Sequence, residues 1–193
     1  MRLVRSNLRR HMVVAGIVAG AVAVSAAPAA AQTGGAPAEP APAPTPAPST
    51  TPGVATIQAD GSALAPPDAP RQVRKAINAA NKIRYKPYVY GGGHRSFKAK
   101  GYDCSGAVSF LLHAAGLLKR PLASGPLAKS WGSPGVGQWI TVYANGGHVY
   151  VVIAGLRWDT SAVGEPFNAG SGPRWRSTAR ATTGYTAKYY PSL

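Results

Sequence analysis

The chain has 193 residues, with 21 Lys and Arg against 6 Asp and Glu, a formal charge of +15 and a single cysteine. One cysteine excludes an internal disulfide framework, and one thiol among scattered histidines offers no metal-ligand spacing, so neither a metal nor a cofactor is implied. The basic residues (Arg71, Arg74, Lys75, Arg95, Lys98 and Lys100 among them) form no nucleic-acid motif, so the charge points away from nucleic acid and toward another anionic partner.

The N-terminus reads as an export signal. Arg2, Arg5, Arg9 and Arg10 make a basic head, Met12 to Val24 an apolar stretch, and Ala29-Ala30-Ala31 a small-x-small site that predicts cleavage after Ala31. The apolar stretch is short for a membrane span. Arg9-Arg10 is a loose match to a twin-arginine signal, and ordinary secretion fits better. Without the four signal arginines, 17 basic residues face 6 acidic ones, a charge of +11. For a secreted chain, anionic cell-wall polymers are the expected partner, by an attraction that salt screens, and a merely solvated basic face is the other reading of the charge.

From Gln32 to about Pro70 the chain is mostly Ala, Pro, Ser, Thr and Gly, as in Pro40-Ala41-Pro42-Ala43-Pro44. Such a segment carries too little apolar surface to offset its ordering entropy, and alternate prolines keep it extended, so residues 32–70 are expected to be a disordered tether. Residues 71–193 are the size of one domain, expected as a monomer.

Within that domain, Val73, Ala76, Ile77, Ala80 and Ile83 follow helical spacing after Pro70, a residue suited to a helix start. Pro87-Tyr88-Val89-Tyr90 is strand-like and ends in Gly91-Gly92-Gly93. Ala107 to Leu117 is an apolar helix with Cys104 in its first turn and Asp103 as N-cap. Residues 120–137, rich in Gly, Pro and Ser, read as a long loop. Residues 138–143, 148–153 and 156–160 read as strands, separated by Asn145-Gly146-Gly147 and Ala154-Gly155. Helices first and strands later predict an α+β domain, its helices packed on an antiparallel sheet.

Chemistry converges on Cys104. Unpaired N–H groups and the positive end of the helix dipole favour a negatively charged sulfur there. A thiol nucleophile needs a base. Of four histidines, His11 lies in the signal, and His113 lies more than two turns along the helix and reads as partly buried. His94 follows the glycine run on a loop, where substrate contact is one reading. His148 opens an apolar strand after Gly146-Gly147, where its ring can face a helix N-terminus. The next strand returns with Asp159 as the acceptor for that ring, Ser161 as the neighbouring alternative, and a surface salt bridge as the other use of Asp159.

Pro87-Tyr88-Val89-Tyr90-Gly91-Gly92, then Asp103-Cys104-Ser105-Gly106, then His148-Val149 resemble the NlpC-type cell-wall cysteine peptidases over roughly residues 71–165. The resemblance implies a papain-like domain that hydrolyses amide bonds in peptidoglycan stem peptides, commonly between D-γ-glutamyl and diaminopimelate or lysine. By position, Cys104 would be nucleophile and His148 base. Tyr88 would place its hydroxyl near the oxyanion, and Asp103 and Ser105 would flank the nucleophile and meet the substrate's amine end. N-capping is the competing role for Asp103.

Two positions depart from that family. Its third polar residue is usually a histidine, where this chain offers Asp159, and the Pro-Gly-Asp-Leu common before the base-bearing strand is replaced around Gly135-Val136-Gly137-Gln138-Trp139-Ile140. Residues 165–193 have no clear counterpart and read as a closing strand or capping tail, or as a glycan groove lined by aromatics and arginines. The first departure leaves an alternative function open, a catalytically lapsed wall-binding module of the same fold. Transfer of an acyl-enzyme to an amine is a third reading that no residue distinguishes.

Overall fold

The computed structural model describes residues 51–166 and 169–193; the expected signal segment and the linker up to residue 50 lie outside the described residues. The elements run β1 (Thr56–Ile57), β2 (Ala63–Leu64), α1 (Arg71–Ile83), α2 (Cys104–Ala114), α3 (Ser124–Lys129), β3 (Ser133–Pro134), β4 (Ile140–Ala144), β5 (Val149–Ile153), β6 (Leu156–Asp159), β7 (Arg174–Arg176) and β8 (Thr186–Tyr189). β1 and β2 pair with each other, and the remaining strands form a six-stranded sheet in the order β3-β8-β4-β5-β6-β7. Every pairing of named strands is antiparallel, so the domain is α+β.

α1 buries the apolar positions that its spacing marks, Val73, Ala76, Ile77, Ala80 and Ile83, together with Ala79. α2 is different: eight of its eleven residues are buried, on every side of the helix. A helix apolar all round belongs in the middle of a core. Val108, Leu111 and Leu112 of α2 share one apolar cluster with Val151 and Ile153 of β5 and with Trp158 of β6. Each such buried side chain contributes roughly 1.5–3 kcal/mol relative to exposure. The first turn of α2 is therefore held by a packed helix rather than by a surface loop.

Four stretches differ from the sequence reading, the first being residues 87–90, which form a single bridge at Tyr88 rather than a strand. Residues 55–69 fall in the expected tether, yet Ala55, Ala63 and Ala69 are buried in the core cluster and Ala63 exchanges two hydrogen bonds with the Asn81 amide of α1, each 2.9 Å. Small apolar side chains suffice there because α1 supplies the partner, so the domain begins before Pro70. Residues 120–137 are not loop throughout: they hold α3 and the two-residue β3. The tail supplies two strands, and β8 lies inside the sheet between β3 and β4. No helix among the described residues is long and apolar enough to cross a membrane.

Candidate active site

Asp103 enters α2 in an extended conformation (φ −86°, ψ −175°), and its Oδ1 accepts the Gly106 N–H at 2.7 Å. That is an N-cap, and it leaves Cys104 as the first helical residue, 8% exposed. The glycine run is pinned against this turn: the Asp103 N–H donates to the Gly92 carbonyl at 3.2 Å, and the Gly91 N–H donates to Asp103 Oδ2 at 3.1 Å. The approach is so close that a Cβ on Gly106 would stand 1.9 Å from the Gly92 oxygen. Only glycine fits at that crossing. A parallel bridge between Tyr88 and Tyr102, with the Val89 N–H on the Tyr102 carbonyl at 3.2 Å, then fixes Tyr88 beside the first turn of α2.

His148 is presented by a turn locked through Asn145. The Asn145 Oδ1 accepts the N–H groups of Gly147 and His148, both at 2.9 Å, and the Asn145 N–H donates to the His148 carbonyl at 3.0 Å. The His148 Nε2 meets Asp159 Oδ1 at 2.9 Å. With Nε2 so engaged, Nδ1 is the nitrogen left for Cys104, which also acts on this ring. Burial opposes charge on His148, but the hydrogen bonds to Asp159 and Cys104, reinforced by their negative charges, prevail and push its pKa up to about 9. The ring is therefore protonated at neutral pH, with the Asp159 carboxylate as its partner at 2.9 Å.

Asp159 is fully enclosed, with a side chain 0% exposed. Burial alone would raise its pKa, yet the bonds from His148 and the Ser161 N–H, with the Arg180 charge, hold it below the usual carboxylate value. It is no surface salt-bridge residue. The Ser161 side chain does not take its place: the Ser161 N–H donates to Asp159 Oδ1 at 2.9 Å, bracing the carboxylate from its own strand end.

A cleft of about 480 Å³ opens over this turn, lined by Tyr88, Tyr90, His94, Cys104, Ser105 and Ser124 among others. Burial, then the negative charges at Cys104 and Asp103, raise the Tyr88 pKa, so its phenol stays a hydrogen-bond donor in the cleft. His94 is in the site as well. Its Nε2 lies 3.0 Å and 2.9 Å from the two Asp103 oxygens and 3.0 Å from Ser105 Oγ. Asp103 thus spends both oxygens on the Gly91 and Gly106 N–H groups, on Ser105 and on His94, and lines the cleft together with these neighbours. His113 stands apart and is exposed rather than partly buried, its ring stacked on Phe97 at 3.8 Å. Among the described residues, no group of three or more His, Cys, Asp or Glu gathers as metal ligands would.

No protein-family model and no curated protein matches the sequence. The structure brings Cys104, His148, Asp159, Tyr88, Asp103 and Ser105 to one place, and adds two groups the sequence reading did not assign there, Asn145 and Arg180. The Asn145-Gly-Gly run marks a turn, so a capping amide was detectable. Arg180 lies in a tail with no periodicity, and nothing local signals that it returns to Asp159.

Proposed function

We propose that this protein is a secreted cysteine peptidase that hydrolyses amide bonds in peptidoglycan stem peptides, on a papain-like NlpC-type domain. The observation that carries the reading is the His148–Asp159 pair, with Nε2 on the carboxylate at 2.9 Å and the other ring edge left for a cysteine at a helix start. The substrate class and the bond, D-γ-glutamyl to diaminopimelate or lysine, come from the resemblance of the Asp-Cys-Ser-Gly and Pro-Tyr-x-x-Gly-Gly segments.

In this mechanism the Cys104 thiolate attacks the amide carbonyl and forms a carbon–sulfur bond. The carbonyl electron pair moves to oxygen, where the Tyr88 hydroxyl and the Cys104 N–H, which has no acceptor inside the helix, stabilise it. Collapse expels the amine, which takes the proton from the His148 imidazolium. The neutral ring then takes a proton from water, whose oxygen attacks the thioester; the second collapse returns the thiolate and leaves the new carboxylic acid. Asp159 keeps the ring oriented and stabilises its charged form throughout.

The test is purified protein and its Cys104→Ala form, incubated with peptidoglycan and with soluble stem peptides, the products being weighed by mass spectrometry. Cysteine-dependent peptide fragments are expected, and they name the bond. If neither form releases fragments while both sediment with the wall, the protein is a wall binder and the peptidase reading is lost.

A further inference from the structure

We propose that Arg180, in the tail beyond the segment that resembles the peptidases, is a positioning residue that keeps Asp159 aimed at His148. This rests on the peptidase reading above for its meaning, though not for its measurement. The two Asp159 oxygens are held from opposite sides: Oδ1 takes His148 Nε2 and the Ser161 N–H, each at 2.9 Å, while Oδ2 takes Arg180 Nη1 at 2.9 Å. A carboxylate gripped at one oxygen can swing; one gripped at both presents a fixed lone pair.

Arg180 is itself built in. Its Nη2 donates to the Tyr185 hydroxyl at 2.9 Å, and the guanidinium lies 5.5 Å from the ring centroids of both Tyr150 and Tyr185. Its side chain is 13% exposed. Tyr185 in turn meets the His148 ring edge-on, with centroids 6.4 Å apart. Arg180 and Tyr185 thus form a brace behind the base and its acid, delivered by the loop between β7 and β8.

Other charged groups surround Asp159, and none duplicates this contact. Arg157, on the same strand, brings its Nε only to 3.8 Å of Oδ2 and is shared with Glu165 and the Ala179 carbonyl. On β7, Arg176 donates to the Asp159 backbone carbonyl rather than its carboxylate, at 3.4 Å, and Arg174 is the cross-strand neighbour, spending its guanidinium on the Ala169 and Ser171 carbonyls. Cys104 reaches Asp159 only through His148. Arg180 is therefore the one side-chain cation among the described residues within hydrogen-bond distance of the carboxylate besides His148.

The variants are Arg180→Met and Arg180→Lys. Two quantities are followed against pH: kcat and KM on a stem peptide, and the rate at which iodoacetamide alkylates Cys104, which needs no substrate. Arg180→Met is expected to lower kcat by about tenfold to hundredfold with KM little changed, as for a small misplacement of a catalytic group. Without the cation Asp159 takes up its proton more readily, so the acid limb of both profiles moves toward neutral pH. Arg180→Lys should restore the limb and only part of kcat, since an ammonium supplies charge without the fork.

An unmoved acid limb in Arg180→Met overturns the inference, even if the melting temperature falls, because a clasp on the loop would cost stability alone. If Arg180→Met does not fold, Tyr185→Phe removes the anchor of the guanidinium and leaves its charge. It should lower kcat several-fold, and wild-type kcat there overturns the inference. Should the wild-type protein cut no stem peptide, the proposed function fails, while the alkylation limb still decides the role of Arg180.

Discussion

At the scale of single residues, His148 sets the pH behaviour. Its folded pKa of about 9 lies above the ordinary 6.5, so the stability it lends is fully present below pH 6.5 and is lost as the pH rises through about 9. Asp159 runs the other way: held below its ordinary 3.8, it stabilises above that value and fails as the pH falls through its lower folded value. Thermal melts from about pH 5 to about pH 10 should therefore show wild type losing stability across the window from 6.5 to about 9. A His148→Gln variant should be flat there, and parallel curves for the two proteins would refute the assignment. On the proposed mechanism, activity should fall at the same upper limb, because a neutral imidazole no longer supplies the proton that the leaving amine requires.

At the scale of elements, the crossing of the glycine run over the first turn of α2 decides whether a site exists at all. Alanine is normally the better helix residue by about 1 kcal/mol. At Gly106 that preference should be reversed, because the new Cβ would lie 1.9 Å from a backbone oxygen that cannot rotate away. Gly106→Ala should therefore destabilise by about 1–3 kcal/mol, as overpacking does, and should uncouple Tyr88 from Cys104. Lower melting temperature together with lost activity is the expected pair of readings, and a stabilised, active variant would show that the loop moves freely. The same crossing explains what was legible in the sequence. α1 and α2 and the three strands from residue 140 to residue 159 follow from local periodicity and turn residues, while the sequence leaves Asp159 open between the His148 ring, a surface salt bridge and replacement by Ser161. β1 and β2 were hidden by composition, since their contact depends on Asn81 of a distant helix. The contacts of His94 have no local signal, because its partners, Asp103 and Ser105, lie nine and eleven residues away around a glycine loop whose path no pattern specifies. The place of β8 beside β4, and with it the return of Arg180 to Asp159, is set by pairing across the whole sheet. No window of sequence contains that information.

At the scale of the whole molecule, the charge is divided by use. Of the acidic side chains, Asp103 and Asp159 are buried in the site, Glu165 is tied to Arg157 and Thr178, and Asp60 is paired with Arg84. Arginines at the sheet end, Arg157 and Arg176, are buried and spend their donors inside the protein. The cations on α1 and on the loops that lead into and out of α2 are exposed: Arg71, Arg74, Lys75 and Lys82, then Arg95, Lys98, Lys100, Lys119 and Arg120. Few carboxylates remain to oppose them, so the helical side carries most of the unbalanced positive charge. The loop bearing Arg95, Lys98 and Lys100 starts at His94, a wall of the cleft. Attraction to an anionic polymer should accordingly act on the approach to the cleft rather than on the chemistry inside it. Raising salt from about 0.05 M to about 0.5 M shortens the screening length from roughly 14 Å to roughly 4 Å. On the proposed function, that change should raise the apparent KM on intact peptidoglycan several-fold while leaving kcat on a short uncharged-end stem peptide nearly constant. Replacing Arg95, Lys98 and Lys100 together by glutamate should mimic high salt at low ionic strength. If the triple variant instead loses kcat on the short peptide and keeps its KM on the wall, these cations serve the cleft geometry and the wall is reached by other means.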